Sequence, residues 1–234
     1  MSAPTLSTPI TAIYTGRVQL MPGDSRTTGI FKHAVTGPLQ VGVEGLEGDQ
    51  QADRRVHGGP EKALHHFPVA NYRRLADRFP DLAAAFVPGA LGENITTPDL
   101  DEGDVFIGDT FAFGSARIQL SQPRRPCWKI DARFGLEGIA LFIEAHGLAG
   151  WYYRVLEPGT VRSGDELKLL DRHPESLSLR EFHVLAHAHR PTVAELMRLA
   201  HLAGLEPSWA ERFRARALWL HHNAPADGAR TNET

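Results

Sequence analysis

Ser121-Gln122-Pro123-Arg124-Arg125-Pro126-Cys127-Trp128-Lys129 carries the one cysteine in a chain of 234 residues. A single thiol closes no disulfide. Arg124, Arg125 and Lys129 surround it, and neighbouring cations favour the thiolate, the form that acts as nucleophile or metal ligand. Pro123 and Pro126 restrict φ and remove backbone donors, which argues against a helix interior or a central strand at Cys127. The segment reads as a stiff basic loop presenting sulfur. The competing reading is a small buried hydrophobe, because free cysteines are among the most buried residues.

Outward from this loop the pattern is β. Asp104 to Phe113 and Ala116 to Ser121 read as strands joined at Gly114-Ser115, a hairpin that leads straight into the cysteine loop. Nearer the N-terminus, Ile13 to Leu20, Gly29 to Thr36 and Gln40 to Val43 are short β-like runs divided by Gly or Pro, as in a meander and unlike a βαβ alternation. On the other side, Gly135 to His146 has a helical apolar pattern with Gly147 as its cap. Trp151 to Leu156 and Thr160 to Leu170 then read as strands, with Ser163-Gly164-Asp165 as a turn or bulge. Phe67 to Phe79 predicts an amphipathic helix ended by Pro80, and Asp81 to Phe86 a short helical turn.

Two glycine-punctuated polar stretches interrupt these elements. Gly45 to Pro60 holds Asp49, Asp53 and His57, and Gly89 to Thr97 holds Glu93 and Asn94. Long loops inside a compact domain are usually functional or disordered, and the His, Asp and Arg content favours function. From Ser176 the period becomes helical. Ser178 with Glu181, Thr192 with Glu195, and Ser208 with Glu211 are three capping boxes. They predict helices over 179–189, 193–203 and 209–221, about 45 residues that form a small satellite domain, marginal alone. Residues 1–11 read as loose and 223–234 as a disordered tail.

Bulk composition narrows the function. The apolar fraction is 42% and the net charge −3, so the chain can bury a sizeable core and nothing global draws it to nucleic acid or an anionic membrane. No run approaches the ~20 apolar residues of a membrane span, and Met1 to Thr11 lacks the charged start and apolar stretch of a signal peptide. With one cysteine, a cytoplasmic location is the expectation.

Three chemistries compete for the polar residues. Zinc is disfavoured: His57, His65 and His66 lack a second ligand pair at zinc spacing, and His183 and His187 lack the intervening Glu of a metalloprotease helix. A Cys-His hydrolase would use Cys127 as nucleophile, His57 as base and Asp49 or Asp53 to orient it, although Pro126 offers no N–H to an oxyanion. An anion pocket would use Gly58-Gly59, the Gly92-Glu93-Asn94 turn, and Arg124 with Arg125. Thiolate prefers soft or thiophilic metals, so a phosphorylated metal cofactor would engage both the sulfur and the anion grips.

Several motifs in order carry a resemblance. Gly48-Asp49-Gln50-Gln51-Ala52-Asp53, His57-Gly58-Gly59-Pro60, Gly92-Glu93-Asn94-Ile95-Thr96-Thr97, Gly108-Asp109 and Ser121-Gln122-Pro123-Arg124 with Pro126-Cys127 resemble the MOSC domain, most closely its YiiM-type branch. The likeness covers residues 12–172, and the three capped helices resemble the small domain at 176–221 that follows MOSC in that branch. It implies a mostly β fold with α elements: a MOSC β-barrel, related to the barrel of pyruvate kinase, plus a C-terminal three-helix appendage. It further implies a molybdenum cofactor (molybdopterin) with Cys127 as ligand to the metal. His57, Gly58, Gly59, Asn94, Ser121, Gln122, Arg124 and Lys129 would surround it, and His57 or Asp49 would supply a proton.

The implied activity is reduction of N-hydroxylated compounds, such as N-hydroxylated purine bases, to the amine, a detoxification. His65 stands where a cysteine occurs in the branch, so a second thiol is not essential. One cysteine cannot hold an iron–sulfur cluster, and no flavin or haem motif is evident, so electrons are expected from a separate reductase. The alternative is a non-catalytic carrier of molybdenum cofactor or sulfur. A homodimer and a docking role for the helices stay open, and no nucleic-acid or membrane partner is expected.

Overall fold

The computed structural model describes residues 6–223. Its centre is a nine-stranded sheet. The spatial order is Ser7–Pro9, Glu166–Asp171, Thr110–Phe113, Ala116–Pro123, Trp151–Glu157, Leu64–His66, Ile95–Thr96, Ala12–Thr15 and His33–Ala34. The sheet curls into a half-barrel. Gly159–Val161, Leu39–Gly42 and Gly45–Leu46 form a second small sheet, and Gln19–Leu20 pairs with Thr27–Thr28. Pairing is antiparallel except between Leu64–His66 and Ile95–Thr96.

Alternation builds the curled sheet. Ala116, Ile118 and Leu120 point inward while Arg117 and Gln119 do not, the period-2 pattern of a half-buried strand. The hairpin forms at the expected pair, with Phe113 opposite Ala116 and Gly114 at φ 60°, a left-handed conformation that an L side chain resists. Ile13, Leu64, Ile95, Phe111, Ile118 and Trp151 fill the interior. A second apolar cluster, around Phe67, Tyr72, Leu91, Ile130 and Ile139, lies under the helices Val69–Arg78, Trp128–Phe134 and Ile139–Ala145.

The C-terminal helices, Leu179–Ala186, Val193–Ala200 and Pro207–Asn223, have no core of their own. Leu179, Phe182, Leu196, Leu199, Trp209 and Phe213 belong to the same cluster as the barrel interior. Backbone bonds stitch the join: Leu179 N donates to Val105 O at 3.0 Å and Glu206 N to Ser121 O at 2.9 Å. Gly204 and Gly108 touch so closely that a Cβ on Gly204 would lie 2.5 Å from the Gly108 Cα.

Several sequence expectations change. Residues 7–9, expected to be loose, form a strand registered on Glu166–Lys168, with Thr8 and Ile10 buried; a polar composition conceals a free sheet edge that the segment completes. The cysteine loop runs directly into the helix Trp128–Phe134, with Cys127 at its N-cap. Gly135, read as the start of the next helix, is the left-handed C-cap of this one at φ 66°, and the next begins after Gly138. Asp131 joins the two, accepting from Gly138 N at 3.0 Å and Ala140 N at 2.8 Å.

The first two capping boxes close as expected. In the third, Glu206 replaces Glu211, taking Ser208 N at 3.1 Å and Trp209 N at 3.2 Å. The long loop at 45–60 contains a short strand and one helical turn, Arg54–His57. The last helix runs to Asn223; the expected tail beyond it, like residues 1–5, lies outside the described residues.

Candidate functional site

Cys127 opens onto a cleft at one end of the sheet. Its backbone is extended, φ −140° and ψ 166°, and its side chain makes no capping bond. The thiol is partly exposed. Arg124, on the same loop, is held by its own N–H on Gly150 O at 3.0 Å. That residue is only 9% exposed, yet its Nη1 is buried without a hydrogen-bond partner. A buried, unpartnered guanidinium nitrogen is costly unless an anion meets it.

The cleft encloses about 70 Å³ and opens past Ala52, His57, Cys127 and Lys129 into a surface furrow of about 780 Å³. Four cations line it, Lys32, Lys62, Arg124 and Lys129, against one carboxylate, Asp49. Asp49 is already spent. It pairs with buried Lys32 and also accepts from Gly16 N at 2.9 Å, Asn94 Nδ2 at 3.0 Å and Gln51 Nε2 at 3.3 Å. Burial pushes the Lys32 ammonium down, and the Asp49 carboxylate opposes that shift.

His57 was expected to hold a proton. Burial drives its pKa down to about 4, and Lys129, Arg124 and Lys62 push the same way, so the ring is neutral at pH 7. His65, on the strand that walls the cleft, is held well below the usual histidine range, first by burial and then by Arg124. Tyr152 opposes it in the same wall, and burial raises its phenol, so this group does keep its proton. Cys127 makes no hydrogen bond to His57 or to any other described side chain, so no hydrolase pair is preassembled.

Cys127, His57, Asp49, Asn94, Arg124 and Lys129 therefore meet in one cleft. Asn94 serves as scaffold: besides Asp49 it spans to the Tyr14 carbonyl at 3.1 Å and takes the His65 N–H at 3.0 Å. Gly58, Gly59, Ser121 and Gln122 are not among the residues lining the cleft. Gly58 backs onto Arg54 and Gln51. Ser121 Oγ donates to Glu61 O at 2.7 Å and Tyr152 O at 3.2 Å. Gln122 donates to Glu61 O at 3.2 Å and accepts from Trp209 Nε1 at 3.2 Å, fastening the last helix to the barrel. Ser121 and Gln122 act on the frame, because their polar groups are met by protein.

Lys32, Lys62 and Tyr152 were missed by sequence reading. Lys32 lies in a run that reads as an ordinary strand, and only its pairing with Asp49, 17 residues away, marks it. A pattern of lysine followed by Gly-Asp at that distance has no local signature.

The geometry has close counterparts. The MOSC domain profile matches residues 53–168. Protein YiiM of Escherichia coli (strain K12) is 40% identical over 207 residues, 88% of this chain and 91% of that protein. The chain belongs to the MOSC domain family. The crystal structure of Escherichia coli YiiM superposes on this MOSC chain with a TM-score of 0.77, covering 92% of this chain and 94% of the YiiM chain, with 33% sequence identity. A protein named Reductase from Gibberella moniliformis (strain M3125 / FGSC 7600) is 33% identical over 64% of this chain, which spans 27% of that longer protein. Family membership places this MOSC chain with molybdenum-cofactor-related function. No helix of the described residues is long and apolar enough to cross a membrane.

The donor set fits such a cofactor. Among the described residues no three His, Cys, Asp or Glu side chains cluster as a metal site, so a metal held at Cys127 would need its other ligands from outside the protein. The cationic lining and the orphaned Arg124 Nη1 suit an anionic, phosphorylated group.

Proposed function

We propose that this MOSC chain is a molybdenum-cofactor-dependent reductase of N-hydroxylated compounds, N-hydroxylated purine bases among them. The observation that carries the reading is the meeting of the lone thiol with a buried guanidinium whose Nη1 has no partner, in a cleft lined by four cations and one paired acid. The cofactor supplies the two-electron redox chemistry that side chains lack. Overall, two electrons and two protons convert N–OH to N–H and release water.

The protein's part is to bind, orient and hold protons. Cys127 would ligate the metal, while Arg124, Lys129 and Lys62 would grip the anionic portion. Asn94 and the Lys32–Asp49 pair keep the walls apart at fixed positions. A bound anion would offset the cations now acting on His57, while burial, the larger cause of its lowered pKa, would keep acting on the ring. Tyr152 holds a proton throughout. Electrons come from a separate reductase, a partner consistent with the longer fungal relative named Reductase.

One observation favours a second reading, a carrier of molybdenum cofactor or sulfur: in the free cleft His57 is neutral and Asp49 is paired with Lys32. The test is protein made in cofactor-competent cells, assayed for molybdenum and pterin and for reduction of an N-hydroxylated base with a supplied electron donor. Bound cofactor with turnover that Cys127→Ser abolishes is expected. Stable binding with no turnover would favour the carrier, and metal-free protein hydrolysing esters through Cys127 would overturn both.

A further inference from the structure

A second cavity, about 260 Å³, lies between the Pro123–Pro126 turn and the C-terminal helices. Its character differs from that of the thiol cleft. Ile143, Phe182, Trp209 and Phe213 make an apolar floor, with the Phe182 ring 5.5 Å from Trp209 and 5.8 Å from Phe213, both edge-on. Arg125, Arg212 and Arg216 stand exposed around it. None of the three has a carboxylate partner among the ion pairs of the described residues. The Arg212 guanidinium lies 4.1 Å over the Trp209 ring, and burial first, then the neighbouring Arg125, push its pKa down.

The nearby carboxylates do not neutralise this rim. Glu102 is buried and holds Asn71 Nδ2 at 2.7 Å and Gly150 N at 3.2 Å. Glu144 acts on His183, on the opposite side of the charge balance from His187 and His146. Glu206 attracts Arg212 but is committed to Ser208 Oγ at 2.6 Å and to the start of the last helix. Mutually repelling guanidinium groups beside an aromatic floor are matched by a flat body with one negative end: the rings supply stacking area and the arginines a planar fork for a carboxylate. The volume, just under the usual range for ligand pockets of about 300–1,000 Å³, suits one or two fused rings.

We propose that this cavity binds a small aromatic carboxylate, its rings against Phe182, Trp209 and Phe213 and its charge against Arg125 and Arg212. Arg124 borders both cavities, and the proposal is kept apart from the cofactor reading by testing it on cofactor-free protein. Calorimetric titration of the full chain would use 2-naphthoate, with neutral 2-naphthamide as the uncharged comparison. The carboxylate should bind at least about tenfold tighter than the amide, and Arg125→Glu with Arg212→Glu should weaken it by about tenfold or more, as loss of charge-assisted bonds does. Both arginines are exposed, and an unchanged melting temperature verifies the fold of that variant. Lys129→Glu, which alters the thiol cleft, should leave naphthoate binding intact. Equal affinity for the amide, no effect of the double charge reversal, loss of binding in Lys129→Glu, or no binding at millimolar ligand would each overturn the proposal.

Discussion

Asn94→Ala separates a scaffold from a ligand grip. The side chain is buried and makes three bonds: it takes the His65 N–H at 3.0 Å and donates to the Tyr14 carbonyl at 3.1 Å and the Asp49 carboxylate at 3.0 Å. Truncation strands the first two groups, at about 1–3 kcal/mol each, and removes a bond to a charged acceptor worth about 1.5–3 kcal/mol. Asp49 keeps Lys32, Gly16 and Gln51, so the third loss falls at the low end. A total of about 3.5–7.5 kcal/mol follows, a large share of the ~5–15 kcal/mol typical of a domain. Urea denaturation of cofactor-free protein at pH 7 measures it. Lys129→Ala, on the same cleft but with no side-chain partner among the described residues, should change stability by no more than about 0.5 kcal/mol. If Asn94→Ala costs less than about 1 kcal/mol without cofactor and its deficit appears only in loaded protein, the scaffold argument is wrong and Asn94 is a cofactor contact.

Acid should destabilise the fold through its neutral histidines. His66 is fully buried between Tyr153 Oη at 3.2 Å and Thr97 Oγ1 at 3.1 Å, and burial lowers its pKa to about 3; His57 lies at about 4. The unfolded chain takes these protons near pH 6.5 and the folded chain refuses them, so stability falls as pH drops from about 6.5 toward 3–4. Between pH 6 and 5, His66→Gln should lessen that slope by up to ~1.4 kcal/mol per pH unit; identical slopes in the two proteins would reject the assignment. Lys32→Ala should cost about 3–5 kcal/mol by leaving Asp49 buried and uncompensated, as read from denaturation midpoints; a loss under about 1 kcal/mol would reject the pairing. At the last helix, Glu206→Ala should lose about 1 kcal/mol and Glu211→Ala almost nothing; the reverse order would restore the capping box that the sequence suggests.

By itself the sequence determined the β character of the first 170 residues, the hairpin at Gly114-Ser115, two of the three capping boxes and the special standing of Cys127. Each of these is local: alternation, turn chemistry and caps act within a few residues. Ordered motifs also placed His57, Asp49, Asn94, Arg124 and Lys129 near the thiol, and the structure sets all five on its cleft. Tertiary structure alone decided which of them are free to act. Asn94 and Asp49 are consumed by each other and by Lys32, and Ser121 and Gln122 by Glu61, Tyr152 and Trp209. It also decided that Ser7–Pro9 completes a sheet edge and that the three helices share the barrel's core. Hydrogen-bond partners and burial come from residues distant in sequence, and a residue's type states what it can bond but not whether the fold has already satisfied it.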